Sequence, residues 1–198
     1  PQIKKILQYL PKERQTMLFS ATMPGSIVNL ASNYMRLPVR VEVAPSGSTA
    51  KDVSQEVFFV EKRDKIHLLD NILLEYHGSI LVFTRTKYEA KRVTAIVRKM
   101  GYSAAEIHSN RTLSQRRGAL EGFKIGKYRV LVATDIAARG IDVSGIELVI
   151  NYDLPTSPED YVHRIGRTGR AGSAGHAISF AMPEQKRDVK SIERVIRM

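Results

Sequence analysis

Cysteine and tryptophan are both absent from the 198 residues. Without a thiol, a disulfide framework and a thiolate metal site are excluded, and a reducing, cytoplasmic setting is the expectation. Long apolar runs are missing too: none approaches the roughly 20 residues that a membrane helix needs. Pro1, Gln2, Ile3, Lys4 and Lys5 do not read as a signal peptide, so no membrane partner is expected. Acidic residues are scarce, 20 against 31 Lys and Arg, which leaves a formal charge of +11. That excludes an acidic disordered chain and points to a polyanion, although a merely solvated basic surface has the same composition. His67, His77, His108, His163 and His176 stand singly, so no metal-ligand spacing is present.

What is present is ordinary globular material, 43% hydrophobic and 26% charged. The chain passes repeatedly from short apolar runs to amphipathic stretches and back, the signature of strands joined by crossover helices and hence of an α/β parallel sheet. Residues 80–83, 130–133, 146–150 and 177–181 are almost continuously apolar, as strands covered on both faces should be. Ile66, Leu69, Leu73 and Tyr76 recur at helical spacing, as do Ala90, Val93, Val97 and Met100, with Lys91, Arg92, Arg98 and Lys99 on the opposite face. Earlier, residues 15–22 and 39–43 read as strands, and Pro24 opens a helix through Met35. Pro45, Gly47 and the serines around them then break every pattern. Residues 44–52 are therefore assigned as a linker between a partial unit, 1–43, and a complete domain, 53–198.

Chemistry concentrates in two segments. The first is His163-Arg164-Ile165-Gly166-Arg167-Thr168-Gly169-Arg170, in which guanidinium groups recur every third residue between glycines. At an effective dielectric of about 20, like charges about 4 Å apart repel by roughly 4 kcal/mol, so such a gathering calls for an anion. Triphosphate oxygens suit it, because the planar guanidinium fork donates two parallel hydrogen bonds and glycine lets backbone approach. The bland alternative is a basic turn in solvent. The second segment, residues 133–143, follows a buried strand and carries Asp135, Arg139, Gly140 and Asp142. In open parallel sheets ligands bind beyond the carboxyl ends of strands, which is where it should fall. Asp135 as a helix cap and Asp142 as a turn opener are the competing readings.

Together, Ala133-Thr134-Asp135-Ile136-Ala137-Ala138-Arg139-Gly140-Ile141-Asp142 and the arginine segment resemble motifs of the DEAD-box RNA helicases. Ser20-Ala21-Thr22, Val82-Phe83-Thr84-Arg85-Thr86-Lys87 and Asn151-Tyr152-Asp153-Leu154-Pro155 stand in the order that family shows, and the resemblance spans nearly the whole chain. Ile107-His108-Ser109-Asn110-Arg111 is similar to the bacterial subgroup of cold-adaptation and ribosome-related helicases. The resemblance implies a second RecA-like domain over 53–198, with helices on both faces of its sheet, preceded by the tail of a first RecA-like domain over 1–43.

It also implies roles, position by position. Arg167 and Arg170 match the arginines that reach the γ-phosphate of ATP, Arg170 as the arginine finger. Asp142, with Gly140 beside it, matches the ribose-binding position, and His163 the interdomain seam. Ser20 and Thr22 match the hydroxyls that link nucleotide state to domain closure. Thr86, Lys87, Ser109, Arg116, Thr134 and Arg139 match positions that hold RNA sugar-phosphate. From residue 85 to 129 there are twelve Lys or Arg and three Asp or Glu, a surface that binds polyanions without reading sequence. Two departures fall on that surface: Ser109 and Leu113 stand where the family has Gly and Gln. Gly118 in a helical stretch has no evident reason.

The implied partners are thus RNA, ATP with magnesium held mainly by the first domain, and that first domain itself. No Gly-x-x-x-x-Gly-Lys-Ser/Thr loop and no Asp-Glu-Ala-Asp occurs in these residues, so this stretch alone is not expected to hydrolyse ATP. A non-catalytic basic RNA-binding or scaffold module, and a DNA helicase domain, are the alternatives. A dinucleotide-binding domain lacks its glycine fingerprint here.

Overall fold

The computed structural model describes residues 2–20, 23, 25–41, 53–138, 143, 145–169 and 174–196. The chain divides into two compact units, Pro1–Ser48 and Thr49–Met198. In the first, α1 (Gln2–Gln8) and α2 (Gly25–Tyr34) are the regular elements among the described residues. The strands expected over 15–22 and 39–43 do not form in their described parts. Residues 15–20 run as irregular chain with Met17 and Phe19 exposed, and Val39 and Val41 are exposed likewise. Apolar content marks a segment that suits a strand, but a strand also needs a neighbouring backbone to take its N–H and C=O groups. No described residue supplies one to either run.

The second unit holds a six-stranded sheet in the order β1-β6-β5-β2-β4-β3, parallel throughout. Its strands are β1 (Val53–Phe59), β2 (Ile80–Phe83), β3 (Ala104–Ile107), β4 (Val130–Ala133), β5 (Leu148–Asn151) and β6 (Gly175–Ala181). Between them run α3 (Lys65–Glu75), α4 (Lys87–Lys99), α5 (Leu113–Lys124), α6 (Asp135–Ala138) and α7 (Pro158–Ile165), and a single 3-10 turn, Pro183–Gln185, leads into α8 (Lys186–Ile196).

Alternation along each strand splits the core into two layers. Ile80 and Val82 face Leu69 and Leu73 of α3 and Val93 and Val97 of α4. Leu81 and Phe83 face the other way, into a layer with Phe123 of α5, Tyr161 and Ile165 of α7, and Ile192 of α8. Because both faces are covered, the inner strands have no polar side and read as unbroken apolar runs.

The helices start where sequence chemistry allows it. Thr86 and Thr112 accept the backbone N–H of Glu89 and Gln115, and Gln115 returns the bond to the Thr112 N–H in a capping box. Ser157 caps α7, with Pro158 at its first position. Register then decides function: Phe83 pairs with both Ala133 and Asn151, and Ile107 with Ala133, so β2, β3, β4 and β5 end at one level along one edge.

Candidate functional site

That carboxyl edge collects the loops in which the sequence placed its candidate residues. Thr86 and Lys87 follow β2, Ser109 follows β3, Thr134 follows β4, and Arg116 lies in the first turns of α5. The loops are tied together at backbone level, Thr84 N–H donating to Ala133 O at 3.0 Å and Thr134 N–H to Ile107 O at 3.2 Å. Side chains join them as well, with Lys87 Nζ donating to Asn110 Oδ1 at 3.0 Å. Arg116 makes no hydrogen bond or ion pair with another described residue through its guanidinium. Leu113 is 61% exposed, so the position where the family carries Gln presents an apolar face to solvent.

Several of the twelve basic residues counted from the sequence bond to other groups of the fold instead. Arg98 donates to Ala104 O, Arg129 to Leu73 O and Tyr76 O, and Arg111 pairs with Glu106. Arg92 pairs with Glu89, a hydrogen bond that raises its pKa further, and also donates to the Tyr152 hydroxyl. Burial pushes the Tyr152 phenol up to about 12, with Arg92 opposing. These cations are spent on carboxylates and carbonyls of the fold, and the free positive field is correspondingly narrower than the count implies.

The arginine segment divides in the same way. Arg164 is only 2% exposed, and it grips Asp135 through Nε at 2.6 Å and Nη2 at 2.8 Å while Nη1 donates to Asn151 Oδ1 and Asp153 O. Its guanidinium also lies 5.0 Å from the Phe83 ring centroid. The argument that all three guanidiniums need an external anion therefore holds at most for Arg167 and Arg170; Arg164 has its anion within the fold. Asp135, the possible helix cap, is that anion.

Beyond α7 the turn is rigidly set. Thr168 Oγ1 donates to Ile146 O at 2.6 Å, and Gly169 takes φ +66°, a left-handed backbone that favours glycine. A Cβ on Gly175 would lie 2.5 Å from the Gly169 nitrogen, so both glycines are required for this close approach. Arg167 Nε donates to His163 O at 3.2 Å, which places these two candidates side by side at the end of α7. Ser20 is exposed in the first unit. Thr22, Arg139, Gly140, Asp142 and Arg170 lie outside the described residues. Among the described residues no group of three or more His, Asp or Glu side chains is arranged to hold a metal ion.

Lys65, which sequence reasoning passed over, organises this edge together with Asp153. Lys65 Nζ, at the start of α3, donates to Tyr152 O at 2.6 Å and to Asp153 Oδ1 at 3.0 Å. Asp153 Oδ2 in turn accepts the Arg85 N–H at 3.0 Å. Only a lysine at the head of an otherwise apolar helix stripe hinted at this, and that signal is weak.

The helicase conserved C-terminal domain family matches residues 64–172, more than half of the chain. The chain belongs to the DEAD-box RNA helicases. It is 45% identical over 196 residues to the ATP-dependent RNA helicase DbpA of Bacillus subtilis, a match covering 98% of the chain and 41% of that protein. Among solved structures, the DEAD box protein of Methanococcus jannaschii shares 38% identity at a TM-score of 0.72, covering 99% of this chain and 53% of that one. Dbp5 of S. cerevisiae, bound to RNA and ADP BeF3, shares 29% identity at a TM-score of 0.88 and covers 98% and 52% respectively. This DEAD-box chain thus spans about two fifths of the curated relative and about half of each solved one. No helix among the described residues is long and apolar enough to cross a membrane.

Proposed function

We propose that residues 53–198 are the second RecA-like domain of an ATP-dependent RNA helicase, that 44–52 link it to the first, and that 1–43 are that first domain's tail. The observation that carries this is the convergence of the β2, β3 and β4 exit loops, which brings Thr86, Lys87, Ser109 and Thr134 to one edge with the unpaired Arg116 nearby. Hydroxyls, an ammonium and a guanidinium in one row suit successive phosphates and sugars without reading bases. Arg139, outside the described residues, is assigned to RNA by its match to the family's motif alone.

The nucleotide reading has a local fit. The turn at 166–169 is pinned by Thr168 and by the Gly169 and Gly175 contact, so Arg167 is presented from a fixed backbone. Guanidinium donors held in this way match a γ-phosphate, and preorganised donors of this kind stabilise charge developing on a transferred phosphoryl group. Arg167 and Arg170 would reach the γ-phosphate, Asp142 and Gly140 the ribose, and His163 the interdomain seam. Magnesium would be held mainly by the first domain, and Ser20 and Thr22 would couple the state of the nucleotide to closure. ATP supplies the phosphoanhydride whose loss reopens the cleft. The role of this chain's own residues is to bind and orient the triphosphate for attack by water when the two domains meet.

A two-domain protein should hydrolyse ATP in response to RNA, and Arg170→Ala should abolish that response. Hydrolysis unchanged in the variant would reject the arginine-finger assignment and favour a non-catalytic basic module. Equal stimulation by DNA would favour a DNA helicase.

A further inference from the structure

At the end of β3 lies a polar cluster that no step above uses. Glu106 and His108 are 6% and 5% exposed, on the strand that forms one border of the sheet. Glu106 Oε1 accepts from Arg111 Nη2. Glu106 Oε2 and His108 Nε2 face each other at 3.6 Å, and neither has a hydrogen-bond partner. His108 Nδ1 accepts the Asn110 N–H at 3.2 Å, which puts the neutral ring's proton on Nε2, directed at the carboxylate. Arg111 N–H closes a turn on His108 O at 3.0 Å. The outcome of these bonds is the position of Asn110, whose Oδ1 holds Lys87 Nζ.

A buried carboxylate beneath a surface meant for a polyanion is costly, because it lowers the positive field there and leaves one oxygen without a donor. Structural need does not explain it, since an edge strand between Ala105 and Ile107 would accept an apolar side chain at this point. We infer that Glu106 is a positioning residue for RNA: through Arg111 and His108 it holds the 108–112 loop so that Asn110 orients the Lys87 ammonium toward a phosphate. Arg111 is correspondingly withdrawn from the RNA, a tether in place of a contact. This inference rests on the RNA reading of the edge given above. It also bears on Ser109, where the family's glycine would leave the loop freer and a side-chain tether becomes useful.

The test exploits a difference in sign. Glu106→Gln removes a negative charge and loosens Arg111, so electrostatics alone would tighten RNA binding and steepen its salt dependence. Positioning requires the opposite: affinity of the two-domain protein for a single-stranded oligoribonucleotide, read by fluorescence anisotropy, falls roughly three- to tenfold, the scale of one oriented hydrogen bond. Asn110→Ala, at an exposed site, shows the same loss and carries the test even where Glu106→Gln lowers stability. Adding Asn110→Ala to Lys87→Ala produces no further loss. Tighter or unchanged binding in both Glu106→Gln and Asn110→Ala, with loss in Lys87→Ala, overturns the inference alone. Unchanged binding in Lys87→Ala overturns the inference together with the RNA reading beneath it.

Discussion

Arg164 and Asp135 form a two-pronged ion pair, Nε to Oδ1 at 2.6 Å and Nη2 to Oδ2 at 2.8 Å, that joins the last turn of α7 to the first residue of α6. It links the two segments that carry the family's strongest motifs. The turn after α7 and the residue after β4, Thr134, thereby flank one ion pair whose guanidinium is buried.

Breaking that pair from one side should therefore cost stability as well as activity. Asp135→Ala leaves a buried guanidinium uncompensated, and a loss of about 3–5 kcal/mol in urea unfolding is expected. Arg164→Lys keeps the charge but loses the fork and the bonds to Asn151 and Asp153, so it should fall between wild type and Asp135→Ala. Wild-type stability in Asp135→Ala would show that the pair is incidental.

Lys65 makes the second buried link. Its side chain is 3% exposed, and Lys65→Met leaves Tyr152 O and Asp153 Oδ1 without their donor. A loss of about 1–3 kcal/mol is expected. Amide exchange should accelerate around Arg85, whose N–H depends on Asp153 Oδ2.

Gly118 sits inside α5 with nothing within 4 Å of where a Cβ would stand, so Gly118→Ala should raise stability by roughly 0.5–1 kcal/mol. Gly122, one turn on, is the control. A Cβ there would meet the Tyr128 ring at 2.5 Å, and Gly122→Ala should lower the melting temperature.

Alkaline pH should unfold the domain through its tyrosines. Burial raises the Tyr152 pKa from 10.0 to about 12, and raises Tyr161 and Tyr76 in the same direction. The folded state thus keeps protons that the unfolded state gives up. Stability is intact below pH 10 and declines as pH climbs toward 12, the range those values bracket. Tyr152→Phe, which cannot ionise, should flatten that decline in a denaturation series across pH. An unchanged slope would assign the loss to other groups.

On the edge proposed to hold RNA, Arg116→Ala should weaken binding to all single-stranded sequences alike and reduce the slope of log affinity against log salt by about 0.7. A loss confined to particular sequences would mean that Arg116 reads bases.

Continuous apolar runs made β2, β4, β5 and β6 legible from composition, because burial on both faces leaves no polar alternation to confuse them. The two strands without such a signal, β1 and β3, are the borders of the sheet. Edge strands are only partly covered, and β3 even carries Glu106. Residues 15–20 show the converse, strand-like in composition yet unpaired, since pairing depends on a neighbour that local sequence does not contain. The spacing of Arg164, Arg167 and Arg170 likewise established that three cations stand close together in the chain. Only the folded chain decided which of them meets an internal carboxylate, because Asp135 lies far off in sequence and arrives through the parallel register of β4 and β5 about β2. Residue type and order determined the family, the crossover fold and the chemistry available at its edge. Distances between loops that the sheet brings together determined which charges are spent holding the protein and which remain for a ligand.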